Sequence, residues 1–234
     1  MISNKRDFAT VSFFFVMIVM FLMQLSSAEA ATFTTKTIKE ETPTQIIDIE
    51  YPVGDSVIEK SVDDLIKKSK DTLAKVVEES RTLPADAPGK SGLTIRYQVA
   101  YQTASVQSLL FTVSIMGRGA AHPSTILTGL NFVDGNEVTL SSLFQDGSSY
   151  LSTLSKYCKT QILAKNISDE PWVSQGTEAS ETNYKTWTFT DKGLAMIFEP
   201  YQVAAYVYGP QTVVINTSVF SSLLKPSLQQ KIWG

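Results

Sequence analysis

Two short turns constrain this chain of 234 residues more than any other feature of its sequence. Asp134-Gly135-Asn136 and Asp191-Lys192-Gly193 each stand between runs in which apolar and polar residues alternate. Aspartate, asparagine and glycine tolerate the left-handed backbone that a tight hairpin demands, and alternation is the mark of a strand with one wet face. Around the second turn, "NYKTWTFT" and "LAMIFEP" offer Trp187, Phe189, Met196 and Phe198 to a core. A further hairpin is expected upstream. Ile95, Tyr97, Val99 and Tyr101 alternate in one run, Leu109, Phe111, Val113 and Ile115 in the next, and Thr103 to Ser105 form the break. "TVVIN" reads as a last strand.

Helical spacing appears in few places. Val62, Leu65, Ile66, Leu73, Val76 and Val77 predict a helix from Ser56, its N-cap, to Arg81, and the preceding "QIIDIEYPV" reads as a strand ended by Pro52. Leu151, Leu154, Cys158 and Ile162 share one helical face, and "TSVFSSLLKP" reads as a short helix closed by Pro226. The polar stretch from Asn166 to Asn183 reads as a long surface loop. Strands dominate, so the expected class is α+β, a mainly antiparallel sheet with helices packed on one face. The Pro/Gly-rich "TLPADAPGKSG" divides a small β-α amino-terminal unit, residues 31–85, from a larger sheet domain, residues 86–234.

Residues 1–30 carry a different signal. Lys5 and Arg6 precede the apolar run Phe13 to Met23, and Ala28-Glu29-Ala30 supplies a small-x-small site, so a signal peptide cleaved after Ala30 is expected. The protein is then periplasmic or secreted, and membrane contact arises only through this segment if it is not cleaved. Export implies an oxidising compartment, yet Cys158 is the single cysteine, so no intrachain disulfide holds the fold. Its place on an apolar helical stripe marks it as a core thiol. The net charge of −3 and the lack of a Lys/Arg block argue against nucleic acid as a partner.

The chemistry-bearing residues are few. His122, the only histidine, lies in "GRGAAHPST". It would be the sole possible base of a Ser-His-acid set, but no GxSxG elbow is present, and one histidine with one cysteine does not complete a usual zinc set. No HExxH, P-loop or GxGxxG motif occurs, so neither metal nor cofactor is expected. Asp134, Asp191 and Glu199 are the acids open to a hydrolytic pair, although the two aspartates sit where turns favour them. Small residues at Gly117, Gly119, Ala120 and Ala121 allow a tight bend, and Pro123 biases His122 towards extended geometry. His122 is therefore read as bracing its loop through a ring-to-backbone hydrogen bond. Tyr201, Tyr206 and Tyr208 lie in a non-alternating, Pro/Gly-bounded stretch. There, aromatic rings with polar tips suit sugar faces and protein interfaces, or else pack a sheet edge.

"IDIEYPV", "IRYQVAYQ", "GAAHPSTILTGLNF", "GNEVTLSSLF", "FTDKGLAMIFEPYQVAAYVYG" and "VVINTSVF" follow one another across most of residues 45 to 224. In that ordered set the chain resembles an extracytoplasmic family of unknown function. The family is found in the lysozyme-binding sensor domain of a bacterial anti-sigma factor and in the non-catalytic region preceding a peptidoglycan deacetylase domain. The resemblance places its Gly-Ala-His-Pro signature on Gly119, Ala121, His122 and Pro123, and its aromatic signature on Phe198, Pro200, Tyr201, Tyr206 and Gly209. Ala120 stands where the family often has a second glycine, and Gln202 and Ala205 where it often has glutamate and proline. The resemblance implies a non-enzymatic cell-envelope protein that binds peptidoglycan-type glycan or a lysozyme-like protein; the ligand-binding residues expected are His122, Pro123, Tyr201 and Tyr206 from its signatures, with Tyr208 added from the aromatic-rich stretch. The alternative is an envelope-polymer hydrolase or deacetylase-like enzyme using His122 or an acidic pair.

Overall fold

Strands predicted from alternation form where expected, and they sort into two sheets. The computed structural model describes residues 33–84 and 86–234, so the expected leader, residues 1–30, lies outside the described residues. In chain order the elements are β1 Thr34–Glu41, β2 Gln45–Val53, α1 Ser56–Glu79, β3 Ser91–Gln102, β4 Val106–Met116, β5 Ser124–Val133 and β6 Asn136–Glu137. They continue with α2 Tyr150–Leu163, α3 Glu170–Gly176, β7 Trp187–Thr190, β8 Gly193–Phe198, β9 Gln211–Asn216, α4 Thr217–Phe220 and α5 Pro226–Trp233. β1 to β6 pair in sequence order, antiparallel except for the parallel β2–β3 step, and β7 to β9 form a second antiparallel sheet. The class is α+β, as expected.

The parallel step follows from α1, which carries the chain from the end of β2 back to the start of β3. Ile58, Val62, Ile66, Ser69 and Leu73 recur every three or four residues and are buried, so one stripe of the helix covers the sheet. Its N-cap is Asp55 rather than Ser56: the Asp55 carboxylate accepts from the Val57 and Ile58 N–H groups at 2.9 and 3.3 Å. β2 runs through Pro52, because the ladder with β3 stops at Ile49 and asks no N–H of the proline. The 85/86 division falls within the connection from α1 to β3, and β2 and β3 are neighbours in one sheet across it.

Opposite α1, the second sheet is clipped onto the first by a polar seam. On β4 and β5, Leu109, Phe111, Val113, Leu130 and Phe132 belong to the core beneath α1, so the alternating Ser108, Gly129 and Asn131 face the other way. Buried Asn131 donates from Nδ2 to the Trp187 carbonyl at 2.9 Å, and the Phe189 N–H donates to Ser108 Oγ at 3.0 Å. The Ser108 hydroxyl in turn donates to Asn131 Oδ1. Gly129 is obligatory at this crossing, since a Cβ there would meet the Trp187 carbonyl oxygen at 2.1 Å.

A second core gathers Trp187, Phe189, Leu194, Met196 and Phe198 with α2, α3 and α5. Cys158 lies in it, fully buried, and burial pushes its thiol up to about 12. Three further elements depart from the sequence expectation. β1 is an exposed edge strand with no buried residue to reveal it. α3 lies inside the stretch read as a surface loop, capped by Asp169 and burying Val173. Pro226 opens α5 instead of closing a helix, a position where its missing N–H costs nothing. No helix among the described residues is long and apolar enough to cross a membrane.

Candidate functional site

The β4–β5 loop, residues 117–123, is folded down onto the segment that leads into β3. Gly119 takes φ +76° and gives its N–H to the Pro88 carbonyl at 3.1 Å, while Ala120 closes a turn on Gly117. Arg118 secures the same contact: its Nε and Nη2 donate to the Ala87 and Pro84 carbonyls at 2.9 and 2.8 Å. The loop thereby holds His122 at the surface. Its Nδ1 lies 3.1 Å from the Pro123 carbonyl oxygen, a ring-to-backbone contact of the kind expected, and the ring itself is exposed.

What the sequence did not disclose is the other side of that ring. His122 stacks on Tyr206 with centroids 4.5 Å apart and planes 26° from parallel, and Tyr206 meets Tyr201 at 5.5 Å and 32°. Three rings from two sheets thus form one surface ladder. Tyr206 begins a single helical turn, Tyr206–Tyr208, that leaves Val207 83% exposed. Tyr208 is half exposed on the same turn, but among the described residues no ring contact joins it to the ladder.

Tyr201 is the unusual member. Glu199 to Gln202 is a turn closed by the Gln202 N–H on the Glu199 carbonyl at 3.0 Å, with Pro200 second and Tyr201 third at φ +69°. That is the type II pattern, in which glycine or asparagine ordinarily takes the third position. A bulky residue in left-handed conformation costs about 1–2 kcal/mol, so the surroundings must enforce it. They do. The Trp172 indole donates to the Tyr201 carbonyl at 2.9 Å. The Gln202 amide accepts the Glu199 N–H at 3.0 Å and donates to the Gly176 and Asn183 carbonyls at 3.0 and 2.9 Å. An ionised glutamate could not make those two donations, which explains glutamine at 202. Gly176 is equally fixed: a Cβ on it would lie 2.0 Å from the Gln202 carbonyl oxygen.

Sequence reasoning missed Trp172 and Gly176, and it noted Gln202 without its role in holding the turn. Trp172 and Gly176 sit on α3, inside the supposed loop, and their roles depend on contacts across 26 to 29 positions. Two of the three acids weighed for hydrolysis are engaged elsewhere. Asp134 pairs with Lys231, and Glu199 pairs with Lys185 at 2.9 Å while accepting from the Leu127 N–H. Asp191 lies in the β7–β8 turn near Tyr101, whose hydroxyl is raised first by burial and then by that charge. Among the described residues, no three of His, Cys, Asp and Glu cluster as a metal would need.

Comparison with known proteins fits this architecture. Residues 141–218, which span α2 to the start of α4, match the model of a family described as a protein of unknown function, DUF3298. A peptidoglycan-N-acetylmuramic acid deacetylase of Bacillus subtilis strain 168 is 24% identical over 172 residues, which cover 71% of this chain. The chain spans 34%, about a third, of that relative's length. Crystal structures of DUF3298 proteins share the fold. One from Bacteroides fragilis NCTC 9343 has a TM-score of 0.61 at 14% identity, covering 88% of this chain and 98% of its own. Another from Pseudomonas aeruginosa PAO1 has 0.61 at 13%, covering 86% and 97%. The likeness expected from the ordered sequence elements, to a family of unknown function and to part of a peptidoglycan deacetylase, is therefore found.

Proposed function

We propose that this chain is an exported, non-enzymatic recognition protein of the cell envelope, which binds peptidoglycan-type glycan along the His122–Tyr206–Tyr201 ladder. The observation that carries the reading is the Tyr201 backbone. A tyrosine is kept where the turn favours glycine, its ring is left 54% exposed, and Trp172 and Gln202 are arranged to hold it there. Strain maintained at an exposed position is characteristic of a site that uses the side chain. Tilted rings with hydroxyl tips present apolar surface to the C–H faces of a pyranose and hydrogen bonds to its hydroxyls. The named substrate of the Bacillus relative is the same polymer, which supports the ligand class. Pro123 fixes the loop from which His122 projects, and Tyr208 extends the exposed aromatic surface beyond the ladder.

A lysozyme-like protein is the second partner to weigh, and Val207 favours it. An apolar side chain standing free between Tyr206 and Tyr208 offers a sugar little, but it suits the desolvated centre of a protein interface. The hydrolase or deacetylase-like alternative has less geometric support, because the ring partners of His122 are Tyr206 and its neighbour's carbonyl, and Asp134 and Glu199 are tied to lysines. Retention of the purified protein on insoluble peptidoglycan, against retention on a lysozyme-coupled resin, tests the reading. Glycan retention that falls when Tyr206 is replaced by alanine is the expected result; passage through both materials overturns it.

A further inference from the structure

A second binding position lies along β5, away from the ladder. β4 flanks this strand along its whole length, whereas on the other side β6 reaches only Phe132 and Val133. In an antiparallel strand the N–H and C=O of a residue point the same way, and successive residues alternate. Leu127 bonds outward through Glu199 and Thr186, and the outward carbonyl of Asn131 takes the Val138 N–H. Gly129, of the same parity, turns its own N–H and C=O outward between them, where no described strand lies alongside. These groups open into a cleft of about 310 Å³.

The rim of that cleft is negative. Glu137 accepts only the neutral Ser61 hydroxyl at 2.7 Å, and Lys60, which acts on it at longer range, is paired with Asp64. Glu181 lines the same cleft, beside Tyr150. Lys185, the cation at the rim, is neutralised by Glu199 at 2.9 Å. Among the described residues neither Glu137 nor Glu181 is in an ion pair. Because β7 crosses over Gly129 and leaves no room for a Cβ, the strand edge remains bare backbone at this point.

From this juxtaposition of a one-residue gap in the strand edge and two unpaired carboxylates, we propose that the cleft takes a short extended peptide bearing a lysine-type amine. One peptide residue pairs with the Gly129 N–H and C=O, and its amine lies between Glu137 and Glu181. Strand addition supplies main-chain affinity, while the charged rim selects the side chain. The proposal goes beyond the glycan reading and does not rest on it.

Amide resonances of the isotope-labelled protein, followed during titration with N-acetylated, C-amidated Ala-Lys-Ala, test it. The Gly129 amide shifts on binding, the Ala-Glu-Ala analogue binds about fivefold or more weakly, and the double variant Glu137→Gln, Glu181→Gln weakens the lysine peptide to a similar degree. Both glutamates are exposed, and an otherwise unchanged spectrum shows that the variant is folded. Equal binding of the two peptides, an unmoved Gly129 amide, or butylamine binding as tightly as the peptide overturns the proposal.

Discussion

Replacing Tyr201 by alanine and by glycine separates what the ring does from what its backbone costs. Both changes delete the ring and its contact with Tyr206, so that loss cancels when the two variants are compared. Both keep the Tyr201 carbonyl and the Trp172 indole bond to it. What differs is the φ of +69°, which penalises any residue with a Cβ by about 1–2 kcal/mol but glycine hardly at all. Glycine returns about 0.5–1 kcal/mol of this through its greater freedom in the unfolded chain. At the middle of both ranges the net expectation is that Tyr201→Gly exceeds Tyr201→Ala in stability by about 0.7 kcal/mol, or roughly 1.5–3 °C in Tm for a domain of this size. Urea denaturation followed by tryptophan fluorescence reads the difference directly. Equal stabilities, or alanine above glycine, would refute the claim that tyrosine is held there against its backbone preference. With that claim would go the main physical reason for treating the ladder as a site.

Other consequences follow from the same contacts. Gly176→Ala places a methyl group 2.0 Å from the Gln202 carbonyl oxygen and should lower the unfolding free energy by about 1–3 kcal/mol, measured by urea melts. Asn131→Ala strips the buried Trp187 carbonyl of its donor and Ser108 of its acceptor, for a loss of about 1–3 kcal/mol. A variant as stable as the parent would show that the polar seam does not join the sheets. Alkali should destabilise the fold through Cys158. Between its ordinary 9.0 and its folded value of about 12, the unfolded thiol gives up a proton that the folded one keeps, so stability falls as pH rises through that window. The loss reaches at most about 4 kcal/mol near the upper end, and burial of the Tyr184 hydroxyl acts in the same direction. Denaturation midpoints measured from pH 8 to about 11 should decline less steeply in Cys158→Ala than in the parent.

Local signals carried most of the fold. The turns at Asp134-Gly135 and Asp191-Lys192-Gly193 became hairpins because their backbone requirements are met within a few residues, and α1 declared itself by repeated apolar spacing. β1 escaped notice because an edge strand exposed almost throughout has no alternation to show. α3 was too short, and its stretch too polar, to display a helical stripe. The site was legible only as parts. His122 and the tyrosines could be singled out by composition and position, but the contact between residue 122 and residue 206 depends on how two sheets stack. That stacking is set by Ser108, Gly129 and Asn131, two polar residues and a glycine within runs that otherwise read as ordinary strand.

Calorimetric titration of the purified protein with a soluble, unmodified peptidoglycan glycan fragment is the most direct test of the central claim, with Tyr206→Ala compared alongside. Tyr206 is the ring that touches both other members of the ladder, so the account predicts saturable binding by the parent and at least about tenfold weaker binding by the variant. Binding of equal strength by both proteins, or no heat from either, would contradict it.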